Sequence, residues 1–252
     1  MEGRLARTAA LLGEDAMTRL AGAHVLLLGL GGVGGHALDA LLRSGVGTLT
    51  VADFDTVSES NLNRQMLAVR ATLGMKKTDA AVRHAANISD AVTVHTVPDR
   101  LTPDGIPALL DSAAFDIVLD AIDDVPVKVA VALAAHERGI PCISCLGMGN
   151  RLDPTAVTVT DIAKTEGCPL ARAIRTKLRR EGLSHLPVIF SRETPRVPLN
   201  GEVRVASSAV VPAAAGLALA AEAIRRIARE GDIVVVMGAG DVIKVTQALF
   251  GR

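Results

Sequence analysis

Glycines in a fixed spacing after an apolar segment carry the first chemical signal of this 252-residue chain. Gly29, Gly31 and Gly34 have the GxGxxG spacing, in which the first glycine permits a tight turn, the second lets a phosphate approach the backbone and the third lets a helix pack on a strand. Asp53 ends the next apolar segment about 20 residues later, where a carboxylate commonly hydrogen-bonds a ribose. The pattern predicts a nucleotide site and, taken alone, is typical of NAD(P) or flavin proteins.

A polar cluster follows this unit and changes the nucleotide that it fits best. Asn61, Arg64 and Gln65 come first, and Lys76 and Lys77 follow a glycine further on. An NAD site needs no such cluster, because hydride chemistry resides in the cofactor. Cationic and amide groups beside a phosphate-binding turn suit a polyphosphate. The sequence therefore favours ATP.

A further apolar segment ends in acids. Residues 115–124 read FDIVLDAIDD, the pattern of a buried strand whose carboxyl end reaches the edge where open α/β sheets bind ligands. Asp123 or Asp124 could hold Mg²⁺ there through one carboxylate, with phosphates and waters completing the octahedron.

The elements that position these groups alternate as in an α/β fold. The pattern predicts a Rossmann-like, doubly wound, mostly parallel sheet. Strands are predicted at 24–29, 48–53, 91–97, 116–120 and 140–145, and helices at 13–20, 32–44, 76–87, 105–111 and 126–138. Later β-like runs at 157–161, 187–193 and 202–206, a helix at 209–229 and a strand pair near 233–246 predict a β-rich C-terminal extension.

Together these motifs resemble the ubiquitin-activating-enzyme-like adenylating superfamily. The matching pieces are the glycine turn, DFDTV with the following NLNRQ, the lysine after Gly74 and the acid of LDAID. The resemblance implies a nucleotide-binding set of Gly29, Gly31, Gly32, Gly34, Asp53, Asp55, Asn61, Arg64, Gln65, Lys77 and Asp123. It makes Arg64, Lys77 and Asp123 catalytic candidates, with Asp123 as the Mg²⁺ ligand. Lys76 replaces Lys77 if the loop register shifts by one.

An arginine pair near the N-terminus also fits this superfamily. Arg4 and Arg7, followed by Leu12 and Gly13, look like its RxxR segment. In those enzymes the second arginine crosses a dimer interface to the partner's ATP. The resemblance therefore implies a homodimer in which Arg7 is a further catalytic residue.

The second half resembles one branch of the superfamily, the tRNA threonylcarbamoyladenosine dehydratases. The matching stretches are RLDP and TDIAKT within residues 151–165, the Pro-Leu pair at 169–170 with its basic helix, and FSRE at 190–193. This resemblance implies ATP-dependent adenylation of the threonyl carboxylate of a modified adenosine in tRNA, followed by ring closure with net loss of water. A cysteine desulfurase and sulfur-acceptor pair is a further candidate partner.

Two other functions stay open from the sequence. One is an adenylyltransferase that activates the C-terminal glycine of a ubiquitin-like sulfur carrier, although many such enzymes carry paired CxxC zinc motifs and this chain has one CxxC. The other is an NAD-dependent oxidoreductase or a redox-sensing module. It leaves the polar cluster after Asp53 without a role.

The two cysteines of the CxxC are expected in the core, and the third is not. Cys142 and Cys145 form the CxxC on a predicted strand, where residues three apart point to opposite faces, so they cannot hold a zinc ion together. Cys168 precedes a proline at a predicted helix start. It is either a cap or surface residue, or a thiol activated by the helix dipole.

One segment is strongly basic. On a helical wheel Arg172, Arg175 and Arg179 share a face, with Ile174 and Leu178 on the opposite one. An ordinary solvated surface explains this pattern, and so does a row of cations for tRNA phosphates, which the resemblance favours. The formal net charge is +0, so attraction to RNA must come from such a local patch.

Composition limits the architecture. The chain fits one domain over 1–252, with a nucleotide-binding half at 1–150 and a half for substrate binding and dimerisation at 151–252. Its longest apolar stretch, 209–221, contains a proline and a glycine and is too short to span a bilayer. Charges interrupt the first residues, unlike in a signal peptide. With three cysteines, these features predict a cytoplasmic enzyme without a membrane segment.

Overall fold

A seven-stranded sheet forms the centre of the protein. The computed structural model describes residues 3–199 and 205–228. The strands are β1 (His24–Leu28), β2 (Thr48–Ala52), β3 (Thr93–Val97), β4 (Ile117–Asp120), β5 (Cys142–Cys145), β6 (Val157–Asp161) and β7 (Pro187–Ser191). Their order is β3-β2-β1-β4-β5-β7-β6. Neighbours pair in parallel except β6, which is antiparallel to β7.

Helices cover both faces of this sheet. Those in the described residues are α1 (Ala6–Leu12), α2 (Glu14–Gly22), α3 (Gly34–Ser44), α4 (Lys77–Ala86), α5 (Ile106–Leu110), α6 (Val125–Glu137), α7 (Pro169–Arg180) and α8 (Val210–Ile227). Leu38 and Leu219 belong to the core under α2, α3, α4 and α8, and Val131 and Ile174 to the core under α5, α6 and α7. The prediction of a Rossmann-like, doubly wound α/β fold is confirmed.

The predicted elements recur in order, with differences at the two ends. Helix α1 lies where no helix is predicted from sequence. β6 and β7 form the edge of the main sheet and not a separate one. Of the predicted run at 202–206, residues 202–204 lie outside the described residues, and Val205 and Ala206 belong to no strand. The strand pair predicted near 233–246 also lies outside the described residues.

The strand order creates a ligand crevice. From β1 the chain proceeds outward through β2 and β3, and then returns to place β4 on the other side of β1. Loops after β1 and β4 therefore diverge at the carboxyl edge of the sheet, the point where open α/β sheets bind ligands. The glycine turn follows β1 and the acidic loop follows β4.

Helix α8 lies against the start of α3 and so borders the glycine turn. A Cβ on Gly216 would overlap the Val33 carbonyl, and a Cβ on Gly32 would come 3.1 Å from the Pro212 Cβ. Glycine inside a helix usually costs stability, and here it permits close helix contact.

No helix in the described ranges combines the length and apolar character that crossing a membrane requires.

The two cysteines of β5 point to opposite faces, as predicted. Cys142 is buried in the core beside α6 and α7, and Cys145 in the core beside α3 and α8. Cys168, just before α7, is also buried and free, and its side chain makes no capping hydrogen bond, so the expectation of a surface position is wrong. Burial raises the pKa of the Cys145 thiol to about 12, so this thiol stays protonated at neutral pH.

Candidate active site

The glycine turn is closed by neighbouring backbone. Gly29 has a φ of 88°, and a Cβ there would come within 2.8 Å of the Ala121 carbonyl oxygen. A Cβ on Gly34 would overlap the Gly29 carbonyl. Only glycine therefore lets α3 begin this close to β1. The first N–H groups of α3 stand at the crevice, in the position where helix N-termini bind phosphates.

The Asp53 carboxylate joins this turn to the end of β2. Its Oδ2 accepts a hydrogen bond from the Leu30 N–H at 2.7 Å, and its Oδ1 accepts one from the Asp55 N–H at 2.9 Å. A carboxylate has about four acceptor positions. Asp53 is thus held in place and can still accept a bond from a ribose hydroxyl.

Lys77 approaches the same carboxylate from the first residue of α4. Its Nζ lies 2.8 Å from Asp55 Oδ2 and 3.6 Å from Asp53 Oδ2. Lys77 is buried, whereas Lys76 is exposed and precedes the helix. The register of α4 therefore brings Lys77 to Asp53 and leaves Lys76 on the surface.

The NLNRQ segment folds over the glycine turn. The buried Gln65 has its Nε2 3.9 Å from the Cβ position of Gly31, and the Arg64 Cγ lies 3.6 Å from that of Gly32. The Asn61 carbonyl accepts from the Arg64 and Gln65 N–H groups at 3.1 and 3.0 Å. The Arg64 guanidinium donates to oxygens of its own loop at 2.8 and 2.9 Å. Two side chains of the predicted phosphate set thus lie against the turn.

Three aspartates near the end of β4 have three different environments. Asp120 is fully buried. Asp124 caps α6 by accepting from the Val127 N–H at 3.1 Å. Asp123 is exposed, and no hydrogen bond or ion pair engages its carboxylate within residues 3–199 and 205–228. Of these three, Asp123 has the oxygens most open to a ligand.

The donor set around Asp123 fits Mg²⁺. The described part of the chain contains no group of three His, Cys, Asp or Glu side chains that could hold a metal ion. Mg²⁺ commonly binds through one or two carboxylates together with substrate phosphates and waters. A lone exposed carboxylate beside a phosphate-binding turn meets that requirement.

The sequence matches the ThiF family over residues 4–241. The chain belongs to the ThiF family. It is 33% identical over 246 residues to the tRNA threonylcarbamoyladenosine dehydratase of Bacillus subtilis, which covers 91% of this chain and 96% of that relative. The enzyme of the same name from Escherichia coli is 38% identical over 178 residues, covering 71% of this chain and 66% of the relative.

Solved structures of ThiF-family relatives agree with this assignment. Escherichia coli tRNA N6-threonylcarbamoyladenosine dehydratase in complex with ATP has a TM-score of 0.83 and 32% identity, covering 89% of this chain and 93% of that one. The molybdopterin-synthase adenylyltransferase of Salmonella typhimurium is 39% identical over 156 residues, covering 62% of this chain and 59% of the relative. The dehydratase matches of the Bacillus subtilis relative and the ATP complex extend over more of the chain than the adenylyltransferase match does. The match to the ThiF family confirms the predicted superfamily membership.

This ThiF-family chain has two buried cations that sequence reasoning did not assign to the site. Lys128 is 1% exposed and Arg151 is 4% exposed. Lys128 is the lone charge in the apolar run from Val125 to Ala135, which is the signal that could have found it. Arg151 stands out in the sequence only as part of the RLDP motif. Both lie where the strands β4 and β5 give way to loops at the crevice edge.

Arg151 fixes the loop that follows β5. Its Nη1 donates to the Gly147 carbonyl at 2.6 Å and the Gly149 carbonyl at 3.1 Å, and its Nε donates to the Glu193 carbonyl at 3.0 Å. The Glu193 carboxylate accepts from the N–H groups of residues 153 and 152 at 2.8 and 2.9 Å. These backbone bonds, the one from Asp153 first, hold the pKa of Glu193 below its usual range.

Arg7 lies far from the glycine turn of its own chain. The Arg4 Nη1 donates to the Leu42 carbonyl at 3.0 Å, and Leu5 approaches Gly45, so α1 begins beside the far end of α3. Helix α3 has 11 residues and therefore extends about 16 Å from the glycine turn. Arg7 is exposed there. If Arg7 contacts a nucleotide, that nucleotide would therefore have to be bound at the glycine turn of another copy of the chain.

Helix α7 presents two of its predicted arginines to solvent. Arg172 and Arg179 are exposed, while Ile174 and Leu178 are buried. A groove of about 670 Å³ runs along the helix, and its basic lining residues are Arg172, Arg175, Lys177 and Arg180. The predicted division into a basic face and an apolar face is present.

Arg175 departs from that picture. Its Nη1 donates to the Thr165 carbonyl at 2.8 Å, the Thr165 Oγ1 at 2.6 Å and the Ile162 carbonyl at 3.3 Å. The chain turns back before Cys168, which brings residues 162–165 beside α7. Arg175 therefore fastens this turn, whereas the side chains of Arg172 and Arg179 make no hydrogen bond or ion pair with the described residues.

Proposed function

We propose that this protein is an ATP-dependent tRNA threonylcarbamoyladenosine dehydratase. The observation that carries the proposal is the 33% identity to the Bacillus subtilis enzyme over 91% of this chain and 96% of the relative. The crevice supports it, because a glycine turn, the Asp53 carboxylate that can bind a ribose hydroxyl, and two cations meet at one edge of the sheet. ATP is the proposed nucleotide.

The reaction has two steps. An oxygen of the threonyl carboxylate attacks the α-phosphorus of ATP, and pyrophosphate leaves to give an acyl-adenylate. A ureido group of the same nucleoside then attacks the activated carbonyl carbon, AMP leaves with the carboxylate oxygen, and the ureido proton passes to solvent. The nucleoside loses one water in net. Because both reacting groups belong to one nucleoside, orientation of the substrate supplies much of the rate enhancement.

Residues at the crevice divide the work of the first step. Arg64 and Lys77 stabilise the charge that develops on the α-phosphate, as preorganised cations do. Asp53 orients the ribose, and Asn61 and Gln65 donate to phosphate oxygens. Asp123 would hold Mg²⁺, which supplies neutralisation of the nucleotide's phosphate charge.

No cysteine is needed in this scheme. The activated carboxylate is attacked directly, so no covalent enzyme intermediate forms. All three thiols are buried, and that of Cys145 is held protonated by its raised pKa. The cyclisation assay therefore begins without a cysteine desulfurase or sulfur-acceptor protein, and these remain proposed accessory partners.

The remaining assignments concern assembly and substrate. We place Arg7 in the active site of a partner copy, which makes a twofold homodimer the active unit. Arg172 and Arg179 contact the tRNA backbone. We also propose a cytoplasmic location, which is supported by the proposed use of tRNA and by the buried free thiols, since these fit a reducing compartment.

The alternative is a sulfur-carrier adenylyltransferase. It is favoured by the 39% identity to the molybdopterin-synthase adenylyltransferase over 156 residues. Both functions adenylate a carboxylate, so the reactions differ only in what carries it. Within this chain, the contacts of the loop 146–153 with Glu193 lie in the half that resembles the dehydratases.

Pyrophosphate release separates the two. The purified protein is supplied with ATP and Mg²⁺, and with tRNA that bears threonylcarbamoyladenosine, the same tRNA transcribed without the modification, or a small protein ending in two glycines. Release that requires the modified tRNA supports the dehydratase. Pyrophosphate release that requires the diglycine protein supports the adenylyltransferase function instead.

A further inference from the structure

A fully buried ion pair lies beneath the acidic loop of the crevice. The Lys128 Nζ is 2.8 Å from Asp120 Oδ2, and the two side chains are 0% and 1% exposed. The same ammonium donates to the Ser144 Oγ at 3.1 Å and to the Cys145 carbonyl at 2.8 Å. Ser144 donates to Asp120 Oδ2 at 2.6 Å. A buried pair is costly unless its hydrogen-bonding groups find partners, and here they do.

This pair ties the carboxyl ends of two strands together. Asp120 is the last residue of β4, and Ser144 and Cys145 end β5. Lys128 comes from α6, in the core on one face of the sheet. One ammonium therefore fixes the relative positions of two strand ends from which crevice loops begin.

The pair also fixes the first residues of the loop after β4. Asp120 Oδ1 accepts from the Ile122 N–H at 3.2 Å, and the Ala121 N–H donates to the Leu28 carbonyl at 2.8 Å. The Ala121 carbonyl faces Gly29 of the glycine turn. Asp123 follows Ile122, and its own carboxylate has no partner within the described residues.

Neither charge of the pair can touch a substrate, because both are shielded from solvent. We infer that Lys128 and Asp120 are positioning residues, which hold the loop 121–123 so that Asp123 faces the metal-bound phosphates of the nucleotide. This inference rests on the proposed use of ATP and Mg²⁺ at Asp123. Lys128 would therefore affect magnesium binding only through the backbone of the loop 121–123.

Equilibrium nucleotide binding tests this role without turnover. The probe is an ATP analogue with a methylene group between the α- and β-phosphorus, measured by calorimetry with Mg²⁺ and with EDTA. The ratio of the two Kd values is the magnesium-dependent gain in affinity. For Lys128→Met we expect this gain to fall about tenfold, as when a group supporting a metal ligand is lost, while Kd in EDTA stays within about twofold.

A double variant separates positioning from stability. Lys128→Met leaves the Asp120 charge buried and unpaired, which strongly destabilises proteins, whereas replacement of both partners is often neutral. In Asp120→Asn with Lys128→Met, we expect the thermal midpoint to return towards that of the wild type and the magnesium-dependent gain to stay low. If the single variant fails to fold, the double variant carries the test.

Glu222→Gln is the matched control. Glu222 is largely buried and pairs with Arg225 and Arg226 at 2.9 and 2.7 Å, near the end of α8 remote from the glycine turn. It should lower the thermal midpoint and leave the magnesium-dependent gain unchanged. If Glu222→Gln also lost the magnesium-dependent gain, the ratio of the two Kd values would report stability alone, and the inference would be overturned.

Two further outcomes would also overturn it. One is a double variant with an unchanged magnesium-dependent gain. The other is a wild-type protein that binds the analogue equally in Mg²⁺ and EDTA, because the loop would then hold no metal. The proposed function is judged separately by pyrophosphate release with modified tRNA, which can succeed or fail in either case.

Discussion

The crevice beside β1 and the loops of the second half use their charged side chains in opposite ways. At the crevice, Asp123 is exposed without a partner in the described residues, and Asp53 keeps acceptor positions after bonding the glycine turn. In the second half, Arg151 and Arg175 donate hydrogen bonds to backbone carbonyls of nearby loops. The first region is arranged to bind a charged ligand. The second is arranged to keep its own shape, so that the proposed contact with RNA is assigned to the exposed arginines of α7.

The largest effects should come from the crevice cations. We expect Arg64→Ala or Lys77→Ala to lower kcat by about two to three orders of magnitude, as for loss of one preorganised charge donor. Lys76→Ala is the matched control and should keep kcat within about twofold of the wild type, because Lys76 is on the surface. Turnover of ATP with modified tRNA measures all three.

Two outcomes would contradict this assignment. If Lys77→Ala were fully active and Lys76→Ala inactive, the register of α4 would be wrong. If both single lysine variants and Arg64→Ala were active, the adenylation mechanism would fail.

A mixed dimer should show whether Arg7 acts across an interface. Arg7→Ala and Asp123→Ala chains are each expected to be nearly inactive. In a mixed dimer, one of the two sites would combine an intact arginine from one chain with an intact metal ligand from the other, so activity should return. Absence of recovery in dimers whose composition is verified by mass spectrometry would show that Arg7 acts within its own chain or not at all.

The sequence was enough to predict that the motif residues of the crevice come together, because its motifs are local. Gly29, Asp53 and Lys77 each follow a strand or begin a helix, so the alternation of elements is enough to bring them to one edge. The burial of Lys128 could not be predicted in this way, because it depends on Asp120 and Ser144 from two strands that are distant in sequence. Arg175 shows the same limit: its position on a helical wheel is correct, but a turn folded beside α7 takes its hydrogen bonds.

The arginines of α7 should show a smaller, salt-dependent effect. We expect Arg172→Ala and Arg179→Ala each to weaken tRNA binding several-fold and to reduce the slope of log K against log salt by about one, as for a lost phosphate contact. Arg175→Ala should lower the thermal midpoint and leave the slope unchanged, because its guanidinium is bonded to Thr165 and Ile162. Filter binding at several salt concentrations measures the slope. An effect of Arg175 alone on the slope would reverse the assignment.

The cysteines should matter least. Replacement of Cys142, Cys145 and Cys168 by alanine together should leave kcat with modified tRNA within a few-fold of the wild type. Burial raises the pKa of Cys145 to about 12, so this thiol is neutral at pH 8, well below its pKa. A thiol-reactive dye should therefore label the native protein slowly at pH 8 and label it fully in denaturant. Rapid native labelling, or inactivity of a folded triple variant, would point to a catalytic thiol.

The most direct test of the central claim follows the oxygen atoms of the substrate carboxylate. Modified tRNA with ¹⁸O in the threonyl carboxylate is incubated with the purified protein, ATP and Mg²⁺, and nucleotides and mildly digested nucleosides are read by mass spectrometry. Adenylation followed by ring closure predicts one ¹⁸O in the released AMP and a nucleoside that has lost one labelled water in net. An unchanged nucleoside, or label in inorganic phosphate instead of AMP, would contradict the account.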